Sequence, residues 1–329
     1  MRIAITGSVA TDHLMTFPGL FKDSLMADQL HNVSVSFLVD DLQIRRGGVA
    51  ANICFGIGVL GGQPLLVAAV GHDFADYQSW LQEYGVICDH VHVSRTAHTA
   101  RFMCTTDQEQ NQIASFYPGA MSESGKIDLL GIAEKVGGLD LVLIGADDPA
   151  TMIAHTNACR SAEIDFIADP SQQLPRLTSE ETKAVIEGAA YLFNNEYEAT
   201  LIESRTGWTH EEILQRIGVR VTTLGKDGVR ITSKDGLDIH VPVAQERVIK
   251  DPTGVGDAFR AGFISGLNWD ISLEHCAQVG SLLATYVIET VGTQEFGLDR
   301  NDFLDRLAQA YGPGVVDEIH EHIAKVSSR

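Results

Sequence analysis

The strongest constraint on how this chain can fold is a rhythm. Apolar runs of strand length alternate with helix-period segments almost to the end of the sequence. Strands are predicted at 2–7, 64–70, 87–93, 139–144, 164–168, 190–193 and 219–223, followed by a hairpin near 229–241. Helices are predicted at 49–60, 73–84, 126–137, 148–160, 178–188, 195–204, 209–217, 254–268, 272–289, 300–311 and 315–326. Parallel strands need long crossovers and helices supply them, so the alternation predicts a mostly parallel sheet covered by helices on both faces. No repeat, low-complexity stretch or Pro/Gly/Ser-rich linker divides the 329 residues, and 1–329 is read as one domain.

Two stretches interrupt the rhythm. Residues 33–45 read Val-Ser-Val-Ser-Phe-Leu-Val-Asp-Asp-Leu-Gln-Ile-Arg, and their opening period of two predicts a strand over 33–39. Residues 99–106 and 112–118 flank the polar run Asp107-Gln108-Glu109-Gln110-Asn111, which predicts a hairpin. With the residues after Asp12, these segments (about 12–45 and 99–120) are expected to build a small β-sheet outside the main one. A small sheet with two faces needs two covers. One face is expected to cover a substrate and the other to pack on a second copy of the chain, giving a homodimer. The plain alternative is an irregular excursion with no role.

Charge removes one class of partner. Acidic residues number 44 against 24 basic ones, a formal net charge of −20. Nucleic-acid binding draws on counterion release at a basic face, so DNA and RNA are not expected as partners. No run approaches the roughly 20 apolar residues that cross a bilayer, and Met1–Gly7 reads as a short strand rather than a secretory signal. Cys54, Cys88, Cys104, Cys159 and Cys276 are odd in number and scattered without a Cys-x-x-Cys. They predict buried thiols in a reducing cytoplasm, with neither a disulfide nor a zinc framework.

The chemistry concentrates in Asp251-Pro252-Thr253-Gly254-Val255-Gly256-Asp257-Ala258-Phe259, a Gly-x-Gly-Asp turn that opens a helix of small and apolar residues. Glycines let a backbone turn sharply and bring its amides close to a ligand. The first amides of a helix lack internal partners and carry the positive end of its dipole, which makes the terminus a ready phosphate site. An acidic protein can thus bind a polyphosphate through backbone amides and a metal. Asp257 at this terminus is either a helix stabiliser or a general base beside the phosphoryl group being transferred.

This segment resembles the C-terminal signature of the ribokinase-like (PfkB) sugar and nucleoside kinases, usually Asp-Thr-x-Gly-Ala-Gly-Asp-x-Phe. The family's N-terminal Gly-Gly pair followed by Asn is similar to Gly47-Gly48-Val49-Ala50-Ala51-Asn52. Asn195-Glu196-Tyr197-Glu198 resembles its Asn-x-x-Glu element, and Thr223-Leu224-Gly225-Lys226-Asp227-Gly228 its Thr-x-Gly-x-x-Gly nucleotide loop. Four elements in the right order from 47 to 263 make a specific match. Within the family, residues 7–13, 99–121 and 169–174 look most like the actinobacterial adenosine kinases.

The resemblance implies a ribokinase-like three-layer α/β sandwich with a small β-sheet lid, and ATP-dependent phosphorylation of the 5′-hydroxyl of adenosine, giving AMP and ADP. It implies Asp257 as the base on the acceptor hydroxyl and an anion hole from the amides of Gly254, Val255 and Gly256. Ser8, Asp12, Gly48 and Asn52 are implied on the ribose side. Asn195 and Glu198 are implied at Mg²⁺, through water, and at the phosphates; Thr223, Gly225, Gly228 and Gly256 are implied at ATP. A K⁺ ion near the turn is a further family property, with Asp251 and Thr253 as candidate ligands. Ribokinase has Lys after the Gly-Gly pair where this chain has Val49, which favours a nucleoside or another capped ribose. Pro252 replaces the usual Thr, and proline just before a helix tolerates the turn.

Purine recognition is expected from Phe102 and Phe116 on the two hairpin arms, since aromatic faces stack on adenine. Ser36, on the small-residue side of the 33–39 strand, and Gln172 and Gln173, each with a donor and an acceptor, are expected to add hydrogen bonds. Hairpin packing and an ordinary loop after a strand are the plain readings of the same residues. The fingerprint-like Gly56-Ile57-Gly58-Val59-Leu60-Gly61 follows a helix instead of opening one, which speaks against dinucleotide binding. Two alternatives stay open: a kinase for another ribose-type or sugar acceptor, and a non-catalytic nucleoside-binding module.

Overall fold

The computed structural model describes residues 1–24 and 35–325. Its strands are β1 (Ile3–Thr6), β2 (Ala10–Thr16), β3 (Asp41–Gly47), β4 (Leu65–Val67), β5 (Ala69–Val70), β6 (His92–Val93), β7 (Ala100–Thr106), β8 (Gln112–Tyr117), β9 (Leu141–Ile144), β10 (Asp165–Ala168), β11 (Tyr191–Asn195), β12 (Val219–Thr223), β13 (Val229–Ser233) and β14 (Asp238–Val241). The main sheet runs β14-β13-β12-β11-β10-β9-β1-β4. Neighbours from β12 to β4 are parallel, and the β13–β14 hairpin closes one edge antiparallel. Strand residues alternate between two apolar clusters: Ile3, Ile5, Leu141 and Leu143 belong to one, and Ala4, Val142 and Ile144 to the other. A sheet buried on both faces needs such continuous apolar strands. Strand order reverses at β1, and crevices at such reversals receive ligands beyond the carboxyl ends of the strands.

From that end of β1, Gly7–Val9 lead directly into β2, the start of a separate four-stranded sheet ordered β3-β2-β7-β8. This is the expected lid. Its register sets Arg45 of β3, Asp12 of β2, Phe102 of β7 and Phe116 of β8 in one row across all four strands. Successive residues of a strand face opposite ways, so the next row, Ile44, His13, Met103 and Ser115, faces the other side.

Several elements depart from expectation. The strand predicted at 33–39 is absent over 35–39, and residues 33–34 lie outside the described residues. Pairing with β2 selects Asp41–Gly47 instead, and Phe37 packs against Phe17 and Phe21, drawing the preceding segment off the sheet. Ser36 is accordingly exposed and on no strand, which removes the reason for expecting it at the site. The 64–70 run divides into β4 in the main sheet and β5, which pairs with β6. Of 87–93, only His92–Val93 is strand, with a single bridge from Ile87 to Leu65. The helix predicted from 126 begins at Leu129, where the Asp128 carboxylate accepts from the amide of Gly131, while Gly119–Lys126 forms a 3₁₀ run.

Helix Val49–Val59 ends within the glycine fingerprint, where a Cβ on Gly56 would come 2.6 Å from that of Ala261. The glycines there serve close helix packing. Among the described residues no helix is long and apolar enough to cross a membrane. All five cysteines are free and buried.

Candidate active site

The site lies where the sheets meet. Gly48 caps helix Val49–Val59 at φ 96°, and a Cβ there would come 2.6 Å from the amide nitrogen of Ala10 and from Cα of Val9. Only glycine lets these backbones approach so closely. Ser8 supports the crossing, its Oγ accepting from the amide of Val49 at 3.1 Å. Asn52 projects one turn later and donates from Nδ2 to Oδ2 of Asp257 at 2.8 Å.

Asp257 sits in the first turn of helix Val255–Asn268. Gly254 caps this helix in the left-handed region, at φ 79° and ψ 0°. The helical register starts with the Ala258 amide donating to the Gly254 carbonyl at 2.9 Å, and Val255 N–H makes a 3.4 Å bond to Pro252. The amides of Gly256 and Asp257 therefore precede the first intrahelical bond and point out of the terminus. The Asp251 carboxylate fixes the turn by accepting from the amides of Thr253 at 2.9 Å and Gly292 at 3.1 Å. Burial pulls the Asp251 carboxyl up, but these bonds and Arg45 outweigh it and hold the group below the ordinary value.

Burial pushes Asp257 up to about 6 against the hydrogen bond from Asn52 and the charge of Arg260, with Asp169 adding to the rise. Asp12 is also pushed up to about 6, first by burial, then by Glu295; Arg45 opposes this and Asp251 adds to it. Both acids lie in the range where a small environmental change alters ionisation.

Beyond the 254–257 turn opens a cavity of about 1040 Å³, lined by Asn195, Glu198, Thr223, Gly225, Gly228 and Gly256 among others. Three of the four sequence elements thus meet around one space, and the fourth, Gly47–Asn52, joins them through the bond from Asn52 to Asp257. Asn195 and Glu198 form a reciprocal capping box on helix Glu196–Thr206: Asn195 Oδ1 accepts from the Glu198 amide, and Glu198 Oε2 from the Asn195 amide, both at 2.8 Å. That box leaves Oε1 of Glu198 for other partners. Burial raises the pKa of Glu198 in spite of the Asn195 bond. One carboxylate and one amide suit Mg²⁺, which keeps several waters and is usually completed by substrate phosphates. Among the described residues no cluster of three or more His, Cys, Asp or Glu is arranged as an all-protein metal cage. At the candidate K⁺ position, both Asp251 oxygens already receive backbone amides, and each keeps a further lone pair for a cation.

The two glutamines separate. Gln172 is exposed and lines the large cavity, whereas Gln173 is buried away from it with its Oε1 unpartnered among the described residues. Phe102 and Phe116 share the face of the lid that carries Asp12.

Some participants were not legible in the motifs. Arg260 is buried and paired with fully buried Asp169 at the end of β10, donating from Nη2 to Oδ1 at 2.7 Å and, from Nη1, to the Gly256 carbonyl at 3.0 Å. A lone arginine within Ala-Phe-Arg-Ala-Gly-Phe-Ile was the available signal, since a buried cation needs a partner. Arg45 and Arg46 lie near the end of β3. Arg45 donates to the Val291 carbonyl at 2.6 Å, and the Arg46 guanidinium lies 4.4 Å from the ring centre of Trp80.

Comparison with known proteins agrees with this arrangement. A family model described as pfkB family carbohydrate kinase matches residues 7–300. A nucleoside kinase of Methanocaldococcus jannaschii is 30% identical over 296 residues, spanning 89% of this chain and 92% of that protein. A ribokinase of Lactococcus lactis is 26% identical over 300 residues, spanning 89% and 92%. The structure of Burkholderia thailandensis nucleoside kinase in complex with inosine superposes with a TM-score of 0.82 at 31% identity, covering 94% of this chain and 99% of that one. The same kinase has also been solved with ADP and inosine, at a TM-score of 0.80 and 33% identity over 94% and 96%.

Proposed function

Because the chain belongs to the pfkB family of carbohydrate kinases, we propose that it transfers the terminal phosphoryl group of ATP to the 5′-hydroxyl of a nucleoside. Adenosine is the acceptor we infer, giving AMP and ADP, with the whole chain acting as one kinase unit in the cytoplasm. The observation that carries this reading is the position of Asp257. It sits at a helix terminus, next in the chain to Gly256 of the large cavity, and receives the hydrogen bond from Asn52 beside the crossing where Gly48 meets the base of the lid. Likeness to nucleoside kinases, one of them seen with inosine, supports a nucleoside over a bare sugar.

Phosphoryl transfer passes through a loose transition state, so positioning and charge stabilisation dominate. Asp12 and Asn52 hold the ribose diol, and Gly48 lets the sugar approach the backbone. Phe102 and Phe116 offer apolar faces to the base, with Ser8 as a further polar contact; Gln172 faces the donor side of the site, and buried Gln173 is left out of the contacts. The amides that open helix Val255–Asn268 hold the phosphoryl group in transit, with Gly254, Val255 and Gly256 forming the hole once the 3.4 Å bond from Val255 to Pro252 gives way to a phosphoryl oxygen. Thr223, Gly225 and Gly228 line the donor pocket. Asn195 and Glu198 would hold Mg²⁺ through water, and the ion supplies charge neutralisation to the phosphates when bound; Asp251 and Thr253 are the positions for K⁺. Asp257 takes the hydroxyl proton. A carboxylate is a far weaker base than an alkoxide, so this transfer is late, as the new P–O bond forms.

The test is ADP release with ATP and Mg²⁺ across adenosine, inosine, cytidine, ribose and fructose. Adenosine should give the highest kcat/KM, and turnover without acceptor should be a small fraction of it. Preference for ribose or fructose would overturn the nucleoside reading. Comparable turnover of inosine, the nucleoside in the Burkholderia complex, would widen the acceptor reading beyond adenosine.

The outer face of the lid supports a homodimer. Its rows carry Ile44 at 60% exposed, Leu42 at 52% and Ile113 at 44%. Apolar rows of this kind on an open sheet suit a second copy. Sedimentation should show a dimer at micromolar concentration, and a double change of Ile44→Lys with Ile113→Lys should shift it to monomer. A parent that sediments as a monomer would sink the idea.

A further inference from the structure

Asn52 meets Asp257 at one end and Gln294 at the other. Gln294 is 1% exposed, so its amide has no water with which to exchange partners. Of its three side-chain partners, Asn52, Trp80 and Tyr77, the last two are fixed in kind. Trp80 Nε1 stands 3.1 Å from one end of the Gln294 amide, and an indole N–H can only donate, so that end is the oxygen. The Tyr77 hydroxyl donates at 2.9 Å to the carbonyl of Gly47, which can only accept. Its single proton is thereby committed, and the end of Gln294 lying 2.6 Å from it must be the donating nitrogen. Two independent constraints thus give the amide the same orientation.

The consequence passes to Asn52. Gln294 Nε2 donates to an atom of Asn52 at 2.9 Å, so that atom is Oδ1, and the remaining Nδ2 faces Asp257. The Thr293 hydroxyl lies 2.9 Å from the same Oδ1 and from the Arg46 carbonyl, and it can serve only one of them at a time. Trp80 packs on Phe55 with ring centres 5.9 Å apart and carries the Arg46 guanidinium of β3 over its ring, so the indole is held in place.

We propose that Trp80, Tyr77 and Gln294 are positioning residues that fix the polarity of Asn52, so that the carboxylate of Asp257 always receives a hydrogen-bond donor and never faces an oxygen. This rests on the reading of Asp257 as the base. The relay keeps the base ionised and aimed without touching either substrate. Arg260 and Asp169 are the charged groups that act on Asp257 from the other side, and the relay leaves them unaltered.

The test uses the full chain and four variants: Trp80→Phe, Tyr77→Phe, their double, and Gln294→Met. Each single aromatic change leaves one constraint in force, so kcat should stay within about threefold of the parent. The double variant and Gln294→Met release Asn52. For these kcat should fall about 10- to 100-fold, the worth of a hydrogen bond to a charged group. The acidic limb of kcat/KM should move to higher pH, with the KM for ATP unchanged. Carbon-13 titration of the Asp257 carboxyl should show the same upward movement in the protein without substrates. A double variant that matches the parent in limb and carboxyl titration overturns the proposal, even where Gln294→Met fails to fold. A parent with no kinase turnover would instead sink the proposed function, and the carboxyl titration would still decide the relay.

Discussion

Asp257→Asn is expected to lower kcat by about 10²- to 10⁴-fold, the usual scale for a lost acid–base group, with substrate KM values changed little. The side chain keeps its size and remains next to Asn52, so the loss reports proton acceptance rather than shape. The pH profile sharpens the test. The base works only when ionised, and its carboxyl is pushed up to about 6, so kcat/KM of the parent should fall as pH drops through about 6. Asp12 titrates in the same range, and its ionised form is the better acceptor for sugar hydroxyls. The parent limb should therefore be steeper than one proton, and the residual activity of Asp257→Asn should show a one-proton limb. Near-normal turnover in that variant would falsify the assignment of the base.

The second large effect belongs to Gly48→Ala. At φ 96° and ψ 134° an alanine is strained, and its Cβ would meet backbone atoms of Val9 and Ala10 at 2.6 Å. Backbone cannot rotate aside as a side chain does. The segment 8–10 must move, and β2 and Asp12 move with it. We expect a loss of about 3 kcal/mol or more, seen as a fall in Tm of roughly 5–10 °C, together with a raised acceptor KM. Gly138→Ala is the control. Its φ is 105°, but a Cβ there meets nothing within 4 Å, so it carries the strain without the clash. Equal destabilisation by the two variants would show that the close approach at Gly48 is unimportant.

The parallel sheet was legible because its strands are buried on both faces and leave continuous apolar runs, such as Leu141–Ile144. The glycine turn that opens helix Val255–Asn268 was legible because glycines just before a run of small and apolar residues mark a sharp turn into a helix. Edges were harder. The 33–39 alternation looked like a strand, but pairing with β2 and the packing of Phe37 moved the strand to Asp41–Gly47. Local pattern cannot report register, which is set by a partner far along the chain. Asn195 and Glu198 were expected at metal and phosphate, and the structure adds that the same pair caps a helix. Trp80, Tyr77, Gln294 and Arg260 carry no local motif. They matter through hydrogen bonds across as many as 242 positions of sequence, a property of the assembled fold.

The row Arg45–Asp12–Phe102–Phe116 carries a consequence for how this protein can change over generations. Because neighbouring positions on these strands look opposite ways, inserting or deleting one residue early in β2 or β7 turns the rest of that strand over. Asp12 or Phe102 would then leave the face they share with Arg45 and Phe116, and His13 or Met103 would take the vacated place. New side chains on that face must come by exchange in place, or by two-residue indels, because a single-residue slip alters both faces of the strand in one stroke.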